Sequence, residues 1–107
     1  MADLAKVIAE VKRFDSSVDE ALVTAIFNSL RPVHGNKDAM LVSCGDDSEL
    51  ETVKKNFLMK KLGMDDSPEL AAAVSDVCAT MQGDRMKARI TFYYLLTKKF
   101  GKESAYA

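Results

Sequence analysis

Two stretches crowd carboxylates closely enough to raise a question of chemistry. Residues 45–51, GDDSELE, place Asp46, Asp47, Glu49 and Glu51 within six positions, and DDSPEL follows at 65–70. A divalent cation needs hard oxygens converging from a turn of defined spacing, as in D-x-D-x-D-G with a distal Glu, and neither stretch has it. Both read instead as helix starts. Ser48 and Glu51 fit the S-x-x-E capping pattern, and Ser67 precedes Pro68, whose missing N–H is harmless at a first helical position. Carboxylates in a first turn are favoured by unsatisfied N–H groups and by the positive end of the helix dipole. No metal site is expected in either, and two such units fall short of the three or so that a stacked array needs.

A thiol is the second candidate. Cys44 shares an irregular segment with His34, the single histidine, and with Asp38, Asp46 and Asp47. A thiolate beside an imidazolium would be an activated nucleophile. The plainer expectation is that Cys44 fills a core gap and His34 faces solvent, because nothing brings the two side chains together and buried free cysteine is common. Cys78, beside Val74, Val77 and Met81, is expected to be packing. The two cysteines lie 34 positions apart with no CxxC pair. In a chain showing no export signal, that argues for reduced thiols and against a structural disulfide.

The third candidate is a basic face. Residues 84–107 carry six basic groups (Arg85, Lys87, Arg89, Lys98, Lys99, Lys102) against Asp84 and Glu103, a local balance of +4 in a chain of net charge −1. On a helical wheel Lys87, Thr91, Lys98 and Lys102 form one polar stripe opposite an apolar arc. Such a stripe could hold phosphates, and the step through Gly83 into RMKAR has the length of a helix-turn-helix corner. A sequence pI of about 5.8 and aromatics committed to the core weaken that case. A solvated face with cations near a helix C-terminus, or a face for an acidic protein partner, is preferred to nucleic acid. There is no Gly-rich phosphate loop, HExxH, GxSxG or zinc-type Cys/His spacing, so neither an enzyme nor a cofactor is expected.

The elements that would position these residues are read from period and punctuation, which predict five helices. Leu4, Val7, Ile8, Val11 and Phe14 share one face of residues 4–14, after a cap at Asp3. A second helix starts at SSVDE, with Ser17 as cap and Glu20 closing a capping box, and ends before Pro32. The third, 48–62, carries Leu50, Val53 and Phe57 on one face and Leu58 and Leu62 on an adjacent one, stopping at Gly63. In the fourth, 68–82, Leu70, Val74, Val77 and Met81 form the stripe opposite Glu69, Asp76 and Thr80. Of the methionines, Met81 and Met86 sit on core faces. The fifth, 84–100, contains ITFYYLL and is apolar on most sides, which marks a central helix packed by neighbours all round. AMLVSC, within 31–47, stays open between a short helix, an extended segment and a loop plugging the core.

The 107 residues fit one domain, spanning 1–102 with a fraying tail at 103–107. Folding at this length hides somewhat over ~60% of the unfolded chain's surface, enough for a core without metal or disulfide staples. With 48% apolar and 29% charged residues the composition is that of a globular protein. The charged N-terminal stretch MADLAKVIAEVKRF lacks a signal peptide's apolar core and no later run approaches a membrane span, so a cytoplasmic protein is expected.

LVSCGDDSELETVKKNFLMKKLG (41–63) and TFYYLLTKKFGK (91–102), joined by the DDSPEL start, resemble a family of small bacterial proteins known as domain of unknown function 2853. The resemblance covers most of the chain after about Ser16 and rests on KKNFLMKKLG combined with FYYLLTKKFGK. It implies a bacterial, compact, helical protein and carries no catalytic residue across. The resulting expectation is an all-α bundle of about five helices, non-enzymatic, acting through protein–protein association. Nucleic-acid binding by the C-terminal helix is the alternative, and thiol chemistry at Cys44 a second. Partner identity and oligomeric state are not readable from the sequence.

Overall fold

Where apolar residues recur at helical spacing the chain is helical in the computed structural model, which describes residues 4–33, 35–36, 40–84 and 87–106. Helix α1 (Leu4–Lys12) buries Val11 and turns into α2 (Glu20–Ser29), which buries Leu22, Val23 and Ile26. The cap expected at Asp3 lies outside the described residues. The α2 cap is Asp19, not Ser17. Its carboxylate accepts from the Leu22 amide at 3.1 Å, while the Ser17 amide donates to Asp15 at 3.0 Å and stays in the preceding turn. A short 3-10 turn, Arg31–Val33, follows at Pro32.

The third helix starts one residue early. α3 (Asp47–Thr52) is capped by Asp46, which accepts from the amides of Ser48 at 2.9 Å and Glu49 at 3.4 Å. A charged cap gains from the helix dipole as well as from the hydrogen bonds, which is why Asp46 displaces Ser48. The same axis then continues as a π-helix, Val53–Lys61. A 3.6-residue turn spreads Val53, Phe57, Leu58 and Leu62 over about half the circumference. The wider i→i+5 turn draws them together, and all four are buried. Gly63, at φ +70, ends the run with the Met64 amide on the Leu58 carbonyl at 3.0 Å.

Helix α4 (Pro68–Thr80) follows the expected stripe, with Leu70, Val74 and Val77 buried and Met81 just beyond its end. The fifth helix does not begin at residue 84. AMLVSC resolves into a two-residue strand, β1 (Leu41–Val42), paired antiparallel with β2 (Lys87–Ala88), and α5 (Arg89–Phe100) starts only after that ribbon. Met86 lies outside the described residues.

Helix α5 divides the core. Phe92 and Leu96 join Val53, Phe57, Leu58, Leu70, Val74 and Met81 on one side. Ile90 and Tyr94 join Val11, Leu22, Val23 and Ile26 on the other. Its near-continuous apolar surface is what a helix contacted by α1, α2, α4 and the ribbon requires. Phe92 is wholly buried for that reason. The result is one compact all-α body with a Cα radius of gyration of 12.7 Å, close to the ~13 Å expected for its length.

Glu103–Tyr106 forms a 3-10 turn against α2, and Tyr106 packs on both halves of the core. The Lys61 ammonium lies 4.4 Å from its ring centroid. Burial pushes the Tyr106 phenol up to about 12. A large aromatic ring removed from water offsets the entropy of ordering four terminal residues.

Candidate functional site

The thiol candidate is corrected by the tertiary structure. Cys44 and Cys78 are joined as a disulfide with their Cα atoms 5.9 Å apart, so neither is a reduced thiol and Cys44 holds no thiolate for attack. His34, its supposed partner, lies outside the described residues. The spacing could not reveal the bond, because the antiparallel course of α3 and α4 is what brings the two positions together. Both cysteines remain only half-buried at the rim of the core.

The basic stripe is corrected as well. Lys87 belongs to β2, is half-buried, and donates from its ammonium to the Asp84 carbonyl at 2.9 Å. Thr91 is wholly buried, and its hydroxyl finds no hydrogen-bond partner among the described residues. Lys98 is exposed and 3.8 Å from Glu103, Lys102 is half-buried, and Lys99 pairs with Asp76 at 3.3 Å. With neighbours on nearly every side of α5, a continuous polar stripe has no room to form. Arg85 lies outside the described residues.

Arg89 is the polar centre that the pattern did not expose. Its guanidinium donates to the Leu41 carbonyl at 3.1 Å and to the Tyr93 hydroxyl at 2.9 Å, and it pairs with Glu49. Its own amide donates to the Met40 carbonyl at 2.7 Å. Burial works against the charge, but Tyr93 and Glu49 outweigh it and hold the group above its ordinary pKa. The Tyr93 ring stacks on Phe57 with centroids 3.8 Å apart. Only the i,i+4 spacing of Arg89 and Tyr93 was visible beforehand. Together these contacts fix β1 and the first turn of α3 onto α5.

Two further polar locks hold the α1–α2 turn. The Tyr94 hydroxyl donates to Asp15 at 2.6 Å and accepts from the Asp19 amide at 2.9 Å. Arg13 reaches Asp84 at 2.9 Å, and this hydrogen bond holds the Asp84 carboxyl below its ordinary pKa.

A groove of about 290 Å³ lies between α3, the start of the π-helix and α4. Its floor is Leu50, Val74 and Ala71, and its lips carry Asp47, Glu51 and Ser75. Lys54, with 15% of its side chain exposed, bonds Glu51 and Asp66, both at 3.3 Å, and closes the end nearest the α4 start. The Cys44–Cys78 bond ties the chain three residues before Asp47 to α4 three residues after Ser75, outside the lining itself. Asp46, Asp65 and Glu69, in the segments that begin α3 and α4, are all exposed. A smaller cavity of about 150 Å³ lies between α2 and the tail, beside Leu22 and Tyr106. Among the described residues no three His, Cys, Asp or Glu side chains gather as a metal ion would require.

A family model described as "Protein of unknown function (DUF2853)" matches residues 6–104. The chain belongs to the DUF2853 family. No curated protein matches it. The matched span takes in the groove, the bridge and both clusters around α5. In this DUF2853 chain, KKNFLMKKLG is the π-helix with its glycine stop, and FYYLLTKKFGK is the central helix with its own, Gly101 at φ +63. The residues carrying the resemblance therefore build the core between α3 and α5. No helix among the described residues is long and apolar enough to cross a membrane.

Proposed function

We propose that this DUF2853 protein is a non-enzymatic domain that acts by binding another protein, with the α3–α4 groove as its contact surface. The occupant is a segment of the partner presenting apolar side chains flanked by lysine or arginine. One observation carries the reading: an apolar floor of Leu50, Ala71 and Val74 bordered on the α3 side by the carboxylates of Asp47 and Glu51. Among the described residues Asp47, Asp65 and Glu69 have no ion pair, and Lys54, the one cation lining the groove, is committed to Glu51 and Asp66. An incoming cation would meet uncompensated negative charge, while apolar contact below supplies the affinity. The setting we propose is the cytoplasm of a bacterium, where a half-buried disulfide is redox-active rather than permanent.

Nucleic-acid binding at Lys98 and Lys102 is the weaker reading, since the stripe that would have aligned phosphates is interrupted at Thr91. An NMR titration separates the two. A twelve-residue amphipathic peptide of Leu and Lys should shift amides at 47, 50, 51, 54, 71, 74 and 75 saturably, and Asp47→Lys with Ala71→Lys should weaken it at least tenfold. Equal binding by the matching Leu and Glu peptide, or shifts centred on residues 98–102, would sink the groove assignment. Salt-resistant, submicromolar binding of duplex DNA or RNA would favour the alternative.

A further inference from the structure

We propose that the Cys44–Cys78 disulfide is a reducible tie that sets the opening of the α3–α4 groove. Its regulatory meaning rests on the groove being the binding surface, whereas its mechanics stand on contacts within this chain alone. Cys44 lies three residues before the lip residue Asp47, and Cys78 lies about one helical turn beyond Ser75 on the opposite lip. The two helices flanking the groove are thus linked covalently near the start of α3 and by Lys54 with Asp66 near the start of α4.

Residues 43–48 have little else to hold them to α4. The Asp46 amide bonds the Ser43 carbonyl at 3.1 Å, within its own turn, and the Asp46 carboxylate caps its own helix. Among the described residues no hydrogen bond or ion pair joins 43–48 to α4 apart from the bridge. The flanks are anchored to a different helix. Leu41 and Val42 pair with Ala88 and Lys87, and Arg89 holds the Leu41 carbonyl and Glu49. Opening the bond therefore frees the 43–48 turn from α4 while α5 keeps hold on either side. Two cores meeting on α5 keep the rest of the domain folded.

The reductant is a dithiol. Its thiolate attacks one cysteine sulfur, the S–S bond breaks, and the other cysteine leaves as a thiolate that takes up a proton. The second thiol of the reductant then displaces the first, giving two protein thiols and one oxidised dithiol, a two-electron exchange. Both cysteines are half-buried residues at the core rim, and this attack requires a sulfur to be reachable there in the folded protein.

The test is NMR of the full chain, oxidised and after dithiothreitol, with two alkylated thiols by mass confirming reduction. Amides in 43–52 and 71–80 should shift, and order parameters at 43–48 should fall from about 0.85 toward 0.6, with α1, α2 and α5 unmoved. The Cys44→Ser, Cys78→Ser double variant should reproduce the reduced spectrum. Shifts spread across all helices would make the bond a general staple, shifts limited to the two cysteines and their neighbours would make the groove indifferent to it, and thiols that appear only on unfolding would make it inaccessible. Any of these overturns the proposal. Because no partner is present, failure here is separable from failure of the peptide titration.

Discussion

Replacing Tyr94 by Phe removes one oxygen from the most constrained aromatic residue and leaves its ring in place. The ring is wholly buried, so apolar burial barely changes. What disappears is the bond donated to the Asp15 carboxylate at 2.6 Å and the one accepted from the Asp19 amide at 2.9 Å. A hydrogen bond to a charged group contributes about 1.5–3 kcal/mol and a neutral one about 1. Asp15 and Asp19 are half-buried, so water recovers part of the loss, and the net cost should be about 2–3 kcal/mol. At this size that corresponds to a fall in Tm of roughly 10–20 °C. Urea titration followed by circular dichroism should show the lower midpoint with the slope unchanged. The pH dependence gives a second, independent readout. Burial first, then the bond to Asp15, pushes the Tyr94 phenol from 10.0 up to about 12. The folded state therefore holds this proton more tightly than the unfolded chain. The stability it contributes is fully present below about pH 10 and is lost as pH rises toward 12. Tyr106 shifts the same way, so the variant keeps that share of the alkaline loss and loses the Tyr94 share. Stability between pH 10 and 12 should fall less steeply in the variant than in the wild type. A cost below about 0.5 kcal/mol, or identical alkaline slopes, would refute the account of this hydroxyl.

Three further outcomes follow from the same contacts. Thr91→Val removes a buried hydroxyl that has no partner among the described residues, and thermal melts should show a gain of about 1 kcal/mol, while a clear loss would mean the hydroxyl is satisfied. Asp46→Ala should cost about 1 kcal/mol, and Ser48→Ala much less, since the carboxylate and not the hydroxyl meets the first amides of α3; equal effects would return the cap to Ser48. Phe57→Ala should cost about 3–5 kcal/mol in urea melts, because it vacates the core beside Leu58 and strips the stacking partner from Tyr93. A neutral result there would mean that the π-helix faces the wrong way.

The sequence by itself determined the features whose causes are local. The stripe of α4, its proline-led start, the glycine stop at Gly63 and the all-round apolar character of α5 each depend on a few neighbouring residues, and each is where the spacing put it. Tertiary structure decided whatever needed a partner from a distant segment. Asp19 caps α2 with its own amide held by Tyr94, 75 positions away, which no capping pattern contains. The ribbon forms because Leu41 and Ala88 are brought edge to edge, and without that pairing AMLVSC reads three ways equally. The π-turn gathers apolar positions that an α-helix would split, a choice made by the core they enter. Thr91 and Lys87 looked like surface because a helical wheel shows where side chains point, not which neighbouring helices cover them. The disulfide and the groove share that origin: α3 and α4 run antiparallel, and only that fold places Cys44 against Cys78 and Asp47 across from Ser75.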